Sequence, residues 1–378
     1  MAQTGKYDAI VVGVGGMGSA ALYHLAKRGK RVLGIERFGV AHDLGSSHGV
    51  TRIIRLAYYE APGYVPLLRR SYELWRELEA SAGEQIMHIT GGIDAGLPDS
   101  RLLEGALRSC LEHELEHEVM SSAELSRRYP GFSLPSDLQA IYQADAGFLT
   151  PERCIELHVA GALDHGATLQ TDEQVLDIAE TSNGARVTTD QGQYEADTVV
   201  VCAGAWTGKL LPELASNAVP ERQVLIWTEP LKPESYTPET FPIFLLMVEE
   251  GHFYGFPAFQ VPGFKIGRFH HLEEVVDPDT IDREPNARDE AMLRQAVERY
   301  FPDAAGPTLS MKACMFTNTP DEHFLIDRLT PDSPIVVAAG FTGHGFKFCS
   351  VVGEILSDMA IDGETRHDVG MFRLARFA

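Results

Sequence analysis

Short apolar runs recur along the chain, and three of them pass through small residues into a pattern with helical spacing. The first run, Ala9–Val12, is rich in β-branched residues, which is typical of a strand buried on both faces of a sheet. Residues 17–27 follow with apolar positions at helical spacing. The same order of strand, small residues and helix is predicted over residues 196–211 and again over residues 333–360. These repeats indicate an α/β fold whose main unit is interrupted by inserted segments.

The glycines at the first of these turns have the spacing of a dinucleotide-binding motif, G-x-G-x-x-G. Gly13 permits a tight turn, Gly15 lets the backbone approach a pyrophosphate, and Gly18 allows the helix to pack closely on the strand. The helix N-terminus directs unpaired N–H groups and a favourable dipole at the phosphates. The second strand, Arg31–Ile35, ends at Glu36, whose carboxylate can accept hydrogen bonds from a ribose hydroxyl. This context predicts an unphosphorylated dinucleotide and leaves NAD and FAD as alternatives.

The inserted segments have a different pattern. Residues 88–96, 223–230, 244–257 and 263–271 are predicted to be strands of an antiparallel sheet, and residues 286–301 a helix. We therefore expect a Rossmann-like domain over residues 1–85, 150–215 and 320–378, with a substrate domain over residues 86–149 and 216–319. The adjacent residues His270 and His271 are expected on opposite faces of a strand, and no cluster of metal ligands is evident, so no metal is expected.

Charge and composition narrow the class of partner. The 378-residue chain has 32 Lys and Arg against 54 Asp and Glu, a formal net charge of −22, which opposes binding to nucleic acid or to an anionic membrane surface. No apolar run approaches the ~20 residues that span a bilayer, and the first strand begins too early for a cleavable leader. The five cysteines are widely spaced and include no C-x-x-C. We expect a cytoplasmic protein with free thiols, in which an anionic substrate would need local cations.

Five further segments are more specific than the glycine motif: "GSSHGVTRIIRLAY", "ADTVVVCAGAWTGKLL", "FYGFPAFQVPGFKIG", "KACMFTNTPDEHFLID" and "VVAAGFTGHGFKFCSVVGEIL". With the opening "DAIVVGVGGMGSAALYHLAKRG", and in this order, they resemble the monomeric sarcosine oxidase and N-methyltryptophan oxidase family. Members of this family are FAD-dependent amine oxidases of the glycine and D-amino-acid oxidase group. The resemblance runs over nearly the whole chain and implies FAD as the cofactor.

The segment Gly45–Glu60 contains loop-forming residues followed by two arginines. Arg52 and Arg55 lie three residues apart, a spacing that brings their guanidinium groups together if the segment is helical. The residues alone leave solvated surface cations as an equal alternative. The resemblance implies that the loop from Ser46 to Gly49 runs along the flavin, that Arg52 lies beside its ring, and that Arg55 pairs with the substrate carboxylate.

A buried cysteine and a lysine in a predicted strand receive roles only through the resemblance. On composition alone, Cys314 is a small packing residue and Lys265 an edge residue. The resemblance implies a thioether from Cys314 to the flavin. It also implies that Lys265 stands over the flavin and promotes its reaction with oxygen, a role suited to a fixed positive charge.

The C-terminal glycine turn and nearby aromatic residues complete the expected site. Three glycines around His344 can bring backbone N–H groups close to a flat ring, and the following helix directs its positive end toward it. The resemblance implies that His344 belongs to the flavin pocket and that Lys347 binds the substrate carboxylate with Arg55. Phe316 and Phe269 stand where the family has Tyr and His. This difference favours a substrate larger than sarcosine, because it leaves apolar surface.

The candidate residues fall into three sets. The expected catalytic residues are Lys265, Arg52 and His344. The expected substrate-binding residues are Arg55, Lys347, Tyr254, Phe316 and Phe269. The expected cofactor-binding residues are Gly13, Gly15, Gly18, Glu36, Ser46, Ser47, His48, Val175, Cys314, Gly343, Gly345 and Lys347.

Together these inferences predict an FAD-dependent oxidase of secondary amines that carry a carboxylate, with oxygen reduced to hydrogen peroxide. Primary-amine oxidation, of the glycine or D-amino-acid type, and electron transfer to another acceptor remain as alternative activities. A flavin-binding redox sensor is an alternative of a different class, but a sensor needs no cations for a carboxylate. We expect a monomer and leave an oligomer open.

Overall fold

The structure, a computed structural model, describes residues 6–377, so the first five residues and the last residue of the predicted Rossmann-like domain lie outside it. Its helices follow local sequence signals: the side chain of Ser100 caps α3, Asn286 caps α7, and Gly83 ends α2 in the left-handed conformation. The helices are α1 Gly16–Lys27, α2 Val65–Ala82, α3 Arg101–Glu112, α4 Ser122–Arg128, α5 Pro151–Asp164, α6 Thr207–Leu210, α7 Ala287–Tyr300 and α8 Cys349–Asp362.

The strands form three sheets, and their bounds in chain order are as follows. They are β1 Tyr7–Val12, β2 Val32–Ile35, β3 Arg52–Ile54, β4 Met87–Ile89, β5 Gly92–Gly96, β6 Glu118–Ser121, β7 Gln139–Gln143, β8 Gly147–Leu149, β9 Thr168–Gln170, β10 Val175–Thr181, β11 Gly184–Thr189, β12 Gln193–Val201, β13 Val219–Thr228, β14 Ile243–Val248, β15 Gly251–Phe256, β16 Phe264–Arg268, β17 Thr308–Asn318, β18 Leu325–Arg328 and β19 Ile335–Ala339.

The first sheet has the order β10-β11-β12-β1-β2-β9, with β19 paired to β12 and β18 to β19. Its centre is parallel, since β1 pairs in parallel with β2 and β12, and β12 with β19. The central strands are apolar and buried, as the run Val199–Val201 illustrates. Helix α1 packs between this sheet and the helices α5 and α8. A parallel sheet needs cover on both faces, which explains why its strands lack the alternation of a half-exposed sheet.

The second sheet has the order β17-β13-β16-β15-β14-β5-β7-β6. Its pairs are antiparallel except that β5 runs parallel to β14. An aromatic core covers one face and is contributed by Phe132, Phe241, Phe244, Phe264 and Phe301. All strands of the first sheet fall in the segments predicted for the Rossmann-like domain, and all strands of the second fall in the inserted segments. A small third sheet, β3-β8-β4, joins the two sets of segments, and the division into two domains stays a prediction.

Two local expectations differ from the structure. Arg52 begins a strand and Arg55 follows it, so the segment is not helical. Strand β16 ends at Arg268, and the φ of 51° at His270 places the two histidines in a turn instead of on opposite strand faces. In both segments, side chains contact residues that are distant in the sequence: Arg55 contacts Asp94, and His270 contacts Glu221. The periodicity of the local sequence does not predict such contacts.

Gly18 provides a test of the close packing of α1 on the first sheet. A Cβ atom at Gly18 would lie 1.8 Å from the carbonyl oxygen of Gly13, a backbone atom that cannot move aside. We expect Gly18→Ala to lower the free energy of unfolding by about 1–3 kcal/mol, as overpacking of a core usually does. Gly39→Ala is the matched control, since a Cβ there meets nothing within 4 Å. Denaturant unfolding of both variants measures the difference, and equal stability would contradict the proposed contact.

Candidate active site

A long cleft opens at the carboxyl ends of β1 and β2. Its floor is the turn from β1 into α1, where Gly13 has a φ of 83° that favours glycine. Gly15 and Gly16 line the cleft at the N-terminus of α1, and a Cβ at Gly16 would lie 2.8 Å from Cys349 Sγ and 3.0 Å from Ser47 Oγ. The expected residues that line this cleft are Gly13, Gly15, Glu36, Ser46, Ser47, Arg52, Val175, Phe316, Gly343 and Gly345. Gly18 supports the turn from behind, against the Gly13 carbonyl.

Glu36 lies at the end of β2 and is buried. Its Oε2 accepts a hydrogen bond from Val14 N at 2.7 Å, and its Oε1 accepts one from Phe38 N at 3.1 Å. Oε1 also lies 3.3 Å from His42 Nε2, whereas Oε2 keeps a second lone pair that can accept another hydrogen bond. The acid therefore holds the glycine turn in place and keeps capacity for a ligand hydroxyl.

The segment that follows Gly45 lies between the cleft and the second sheet. Arg52 Nη2 donates to Ser46 O at 2.8 Å and Nη1 to Thr51 O at 2.9 Å. Lys265 Nζ donates to Gly49 O at 2.6 Å, to Thr51 O at 3.1 Å and to Thr51 Oγ1 at 2.9 Å. The ammonium of Lys265 also lies over the ring of Phe256, 4.4 Å from its centroid. Burial and the charge of Arg52 hold the pKa of Lys265 well below its usual value.

His48 is buried, yet neither ring nitrogen has a hydrogen-bond partner among the described residues. Burial and the charges of Arg52 and Lys312 lower its pKa to about 3, so the ring is neutral. An unpaired polar group in the interior is costly, which calls for a partner outside the protein chain. A glycine turn, a helix N-terminus, an acid at the second strand and an unpartnered histidine together fit FAD.

Cys314 lies on β17 and is buried. Its neighbours Met315, Phe316 and Thr317 line the cleft, whereas Cys314 itself is not among the lining residues within the described range. Burial raises the pKa of its thiol, and the nearby cations Arg52 and Lys265 oppose that rise. Of the other free cysteines, Cys202 and Cys349 line the cleft, and Cys110 and Cys154 are buried in hydrophobic clusters.

A second, smaller pocket adjoins the cleft and shares its walls at Arg52, Gly343 and Phe346. It brings together substrate-binding candidates from three distant parts of the chain. Its remaining lining residues are Ile53, Arg55, Glu60, Leu245, Tyr254, Phe256, Phe269, His344 and Lys347.

Arg55 is buried in this pocket and is already paired with protein groups. Its Nη2 lies 3.1 Å from Glu60 Oε2, its Nη1 lies 3.6 Å from Asp94 Oδ2, and Nη1 also donates to Ala57 O. Burial opposes the guanidinium charge, but the two carboxylates together raise the pKa of Arg55 above its usual value. The pocket therefore contains buried anions beside its cations.

Lys347 is the second buried cation of the pocket. Its Nζ donates to the carbonyl oxygen of His344 at 2.7 Å and lies 5.1 Å from the ring centroid of Tyr58. Burial, followed by the charge of Arg55, lowers the pKa of Lys347 to about 7. Near neutral pH an incoming carboxylate favours the ammonium form of this residue.

His344 has both ring nitrogens engaged with protein groups. Nδ1 lies 2.6 Å from Tyr58 Oη, and Nε2 lies 2.9 Å from Glu322 O. Burial lowers the pKa of His344 to about 4, so the ring is neutral and Nε2 donates to the Glu322 carbonyl. The tautomer leaves Nδ1 to accept from Tyr58. These two hydrogen bonds hold His344 in place, and the backbone carbonyl of His344 accepts the hydrogen bond from Lys347 Nζ.

Aromatic rings form the opposite wall. Phe269 lies 5.1 Å from Tyr254 and 5.7 Å from Phe316, measured between ring centroids. A Cβ at Gly343 would lie 2.3 Å from the Phe316 ring, so the glycine leaves room for it. The ring of His252 stacks on Phe269 at 4.6 Å from behind. This wall offers apolar surface to a substrate.

Sequence reasoning missed Glu60, Asp94 and Tyr58 as parts of the site. Glu60 ends the segment that carries both arginines, so its position was a signal. Asp94 is an acid inside the predicted apolar strand "GGIDAG", and a charged residue at such a position is rarely buried without a partner. Tyr58 carries no such signal, since a Tyr in an apolar run is usually part of the core.

No group of three or more His, Cys, Asp or Glu residues that could hold a metal ion occurs among residues 6–377. Within the same range, no helix has the length and apolar character needed to cross a membrane.

A dinucleotide cleft joined to a pocket of buried charges and aromatic rings defines a flavin-dependent oxidoreductase. Residues 8–359 match the model of the FAD dependent oxidoreductase family, DAO, and the chain belongs to that family.

Similar proteins are known at the level of sequence and of structure. The chain is 43% identical over 378 residues to the monomeric sarcosine oxidase of Streptomyces avermitilis. This alignment covers 98% of each of the two chains. It is 34% identical to the N-methyl-L-tryptophan oxidase of Yersinia pestis, over 98% of this chain and 99% of that protein. A solved structure of NikD, described as an unusual amino acid oxidase, has 25% identity and a TM-score of 0.84 and covers 98% of both chains. The expected family resemblance and fold class are confirmed.

Proposed function

We propose that the protein is an FAD-dependent oxidase of secondary amines that carry a carboxylate, namely N-alkyl amino acids. The observation that carries the proposal is the small pocket beside the dinucleotide cleft, which is lined by the cations Lys347 and Arg55 together with the aromatic rings of Tyr254 and Phe269. The names of the relatives, sarcosine oxidase and N-methyl-L-tryptophan oxidase, support the same class of substrate.

The cleft residues are suited to hold the cofactor. Gly13 and Gly15 provide close backbone approach, Glu36 offers acceptor oxygens, and Ser46 and Ser47 offer hydroxyls. FAD, when bound, supplies the acceptor for the two electrons of C–N bond oxidation and passes them on to oxygen.

The pocket residues bind and orient the substrate. The Lys347 ammonium, held by the His344 carbonyl, attracts the carboxylate, and Arg55 contributes a second charge. The rings of Tyr254 and Phe269 pack against the carbon substituents and exclude water. Fixing the carboxylate at one wall and the substituents at the other places the amine at the boundary with the cleft. Orientation of this kind lowers the entropic barrier to reaction.

Two further activities remain candidates. A primary amine with a carboxylate meets the same cations, so a glycine or D-amino-acid substrate would differ only at the aromatic wall. An electron acceptor other than oxygen would need no change in the pocket. A flavin-binding sensor is less well supported, since the buried charges of the pocket serve no purpose in it. The monomeric state and the cytoplasmic location stay predictions.

The test of the proposed function is a peroxide assay across a substrate series. We expect kcat/KM to rise from sarcosine to N-alkyl amino acids with longer or aromatic groups, because each buried methylene contributes ~0.8 kcal/mol. The corresponding amides should lose at least about tenfold, since a hydrogen bond to a charged group contributes about 1.5–3 kcal/mol. A preference for sarcosine would contradict the enlarged apolar wall. Equal rates with the amides would contradict carboxylate binding, and primary amines as the best substrates would favour the alternative activity.

Covalent attachment of FAD through Cys314 is the second part of the proposal. Acid precipitation should leave the wild-type protein yellow, because a thioether withstands conditions that release bound FAD. Cys314→Ser should release its flavin into the supernatant. Cys110→Ser is the control, since Cys110 is buried in a hydrophobic cluster and should leave the precipitate yellow. Flavin in the wild-type supernatant would show that Cys314 is a packing residue.

Lys265 provides the third part, since its buried charge suits stabilisation of negative charge on reacting oxygen. We expect Lys265→Met to slow reoxidation by oxygen by roughly 100- to 1000-fold, the usual loss on removing a preorganised charge or donor. Anaerobic reduction by substrate should change much less. Lys312→Met is the matched control, because Lys312 is partly exposed and pairs with Asp43. Stopped-flow absorbance separates the two half-reactions, and equal losses in both would indicate a structural role.

A further inference from the structure

Asp94 is a buried carboxylate in the middle of the second sheet. It lies on β5 between Ile93 and Ala95, whose side chains pack into the aromatic core on one face. Successive residues of a strand point to opposite faces, so Asp94 points the other way. Its cross-strand partners are Leu245, which lines the small pocket, and Ile141. The sheet therefore presents an acid to the pocket side, where an apolar residue would fit the strand better.

The contacts of Asp94 direct it to Arg55. Asp94 Oδ2 lies 3.6 Å from Arg55 Nη1, and Glu60 Oε2 lies 3.1 Å from Arg55 Nη2. Two buried cations, Arg55 and Lys347, are thus accompanied by two buried anions, and Arg52 adds a further cation to the pocket wall. A substrate carboxylate therefore meets an Arg55 guanidinium whose donors already have acceptors.

Of the two acids, Asp94 is the one that is more easily protonated. Glu60 makes the closer contact. Although burial opposes its charge, the nearby charges of Arg55 and Lys347 help to keep its pKa below the usual value. Burial raises the pKa of Asp94 to about 6. The charges of Arg55 and Lys347 oppose this rise, and repulsion from Glu60 adds to it. Cys110 on α3 also lies near Asp94. The pKa of its thiol is raised to about 12, mainly by burial, so the thiol stays neutral.

We propose that Asp94 is a positioning residue that competes with the substrate carboxylate for Arg55 and so sets how tightly the pocket takes anionic substrates. Binding of the anion is coupled to uptake of one proton from solvent by the Asp94 carboxylate, which conserves the charge of the site. The affinity for a carboxylate therefore strengthens as the pH falls toward the range in which Asp94 is protonated. Protonation of Lys347, whose pKa is about 7, strengthens it over the same range, so the contribution of Asp94 is the difference between the wild type and a variant without its charge. This inference rests on the proposed function, because it requires a substrate with a carboxylate.

The test uses acetate as the probe and the FAD-containing enzyme as it is purified. Acetate binding is followed by the change in the visible flavin absorbance, which reports occupancy without turnover. We expect Asp94→Asn, which removes the charge and keeps the shape, to bind acetate at least tenfold more tightly than the wild type at pH 8. The difference should shrink below threefold at pH 5.5, where the wild-type acid is protonated. Asp137→Asn, at an exposed position, controls for the loss of one negative charge and should match the wild type.

Steady-state kinetics distinguish a positioning role from a merely structural one, because only a positioning role predicts a change in KM without a similar change in kcat. For the best N-alkyl amino acid, Asp94→Asn should lower KM at pH 8 and leave kcat within about threefold. Asp94→Leu serves as a second variant if the asparagine variant does not fold, since its strand neighbours Ile141 and Leu245 are apolar. Asp94→Glu restores the charge and should return acetate affinity toward the wild-type value.

The outcomes separate this inference from the proposed function. Equal acetate affinity in the wild type and in both charge-removing variants overturns the role of Asp94 and leaves carboxylate binding intact. Weaker binding in those variants also overturns it, since Asp94 would then support the anion site. Failure of acetate to bind to any variant, with equal turnover of acids and amides, overturns the proposed carboxylate site and the inference with it.

Discussion

The hydrogen bonds of Lys265 to Gly49 and Thr51 connect the two halves of the site. Lys265 belongs to β16 in the second sheet, whereas its acceptors belong to the segment that lines the cleft of the first sheet. A buried ammonium must find acceptors, because an unpaired charge in the interior is far more costly than a lost contact. The lysine therefore ties strand β16 of the second sheet to the segment that carries Arg52. Arg52, which bonds to Thr51 and Ser46, holds the same segment from the other side.

A second constraint follows from charge in a small volume. Arg55 and Lys347 are useful to an anion only if they remain charged, and burial acts against both. Glu60 and Asp94 oppose the effect of burial on Arg55, because their negative charges keep its guanidinium group ionised. Under the proposed function, they do so at donors of Arg55 that a substrate carboxylate would also use. The pocket is thus stable without a ligand, and affinity depends on how readily one internal anion is neutralised.

Much of the fold and part of the site could be predicted from the sequence. The glycines at 13, 15 and 18, with Glu36 after the next strand, are local signals that depend on neighbours within thirty residues, and the cleft contains this turn as expected. Phe316, Phe269 and Tyr254 were expected to bind the substrate; their rings lie together, and the binding role stays a prediction.

The conformation around Arg55 could not be read in this way. Its partner Asp94 lies far along the chain, on a strand whose pairing is set by the sheet as a whole. Likewise, the tautomer of His344 depends on Tyr58 and on the Glu322 carbonyl, contacts that no periodicity records. Local motifs predict where a cofactor lies, and long-range contacts decide how the charges beside it are balanced.

Cys202 and Cys349 line the cleft in which, under the proposed function, hydrogen peroxide is formed. Peroxide oxidises the thiolate form of cysteine and reacts poorly with the protonated thiol. Burial raises the pKa of Cys202 to about 12 and that of Cys349 well above its usual value, so both sulfur atoms keep their protons near neutral pH. Burial of the two thiols thereby protects them from the hydrogen peroxide that the proposed reaction produces. Entry of water around them would lower their pKa values and make them open to oxidation.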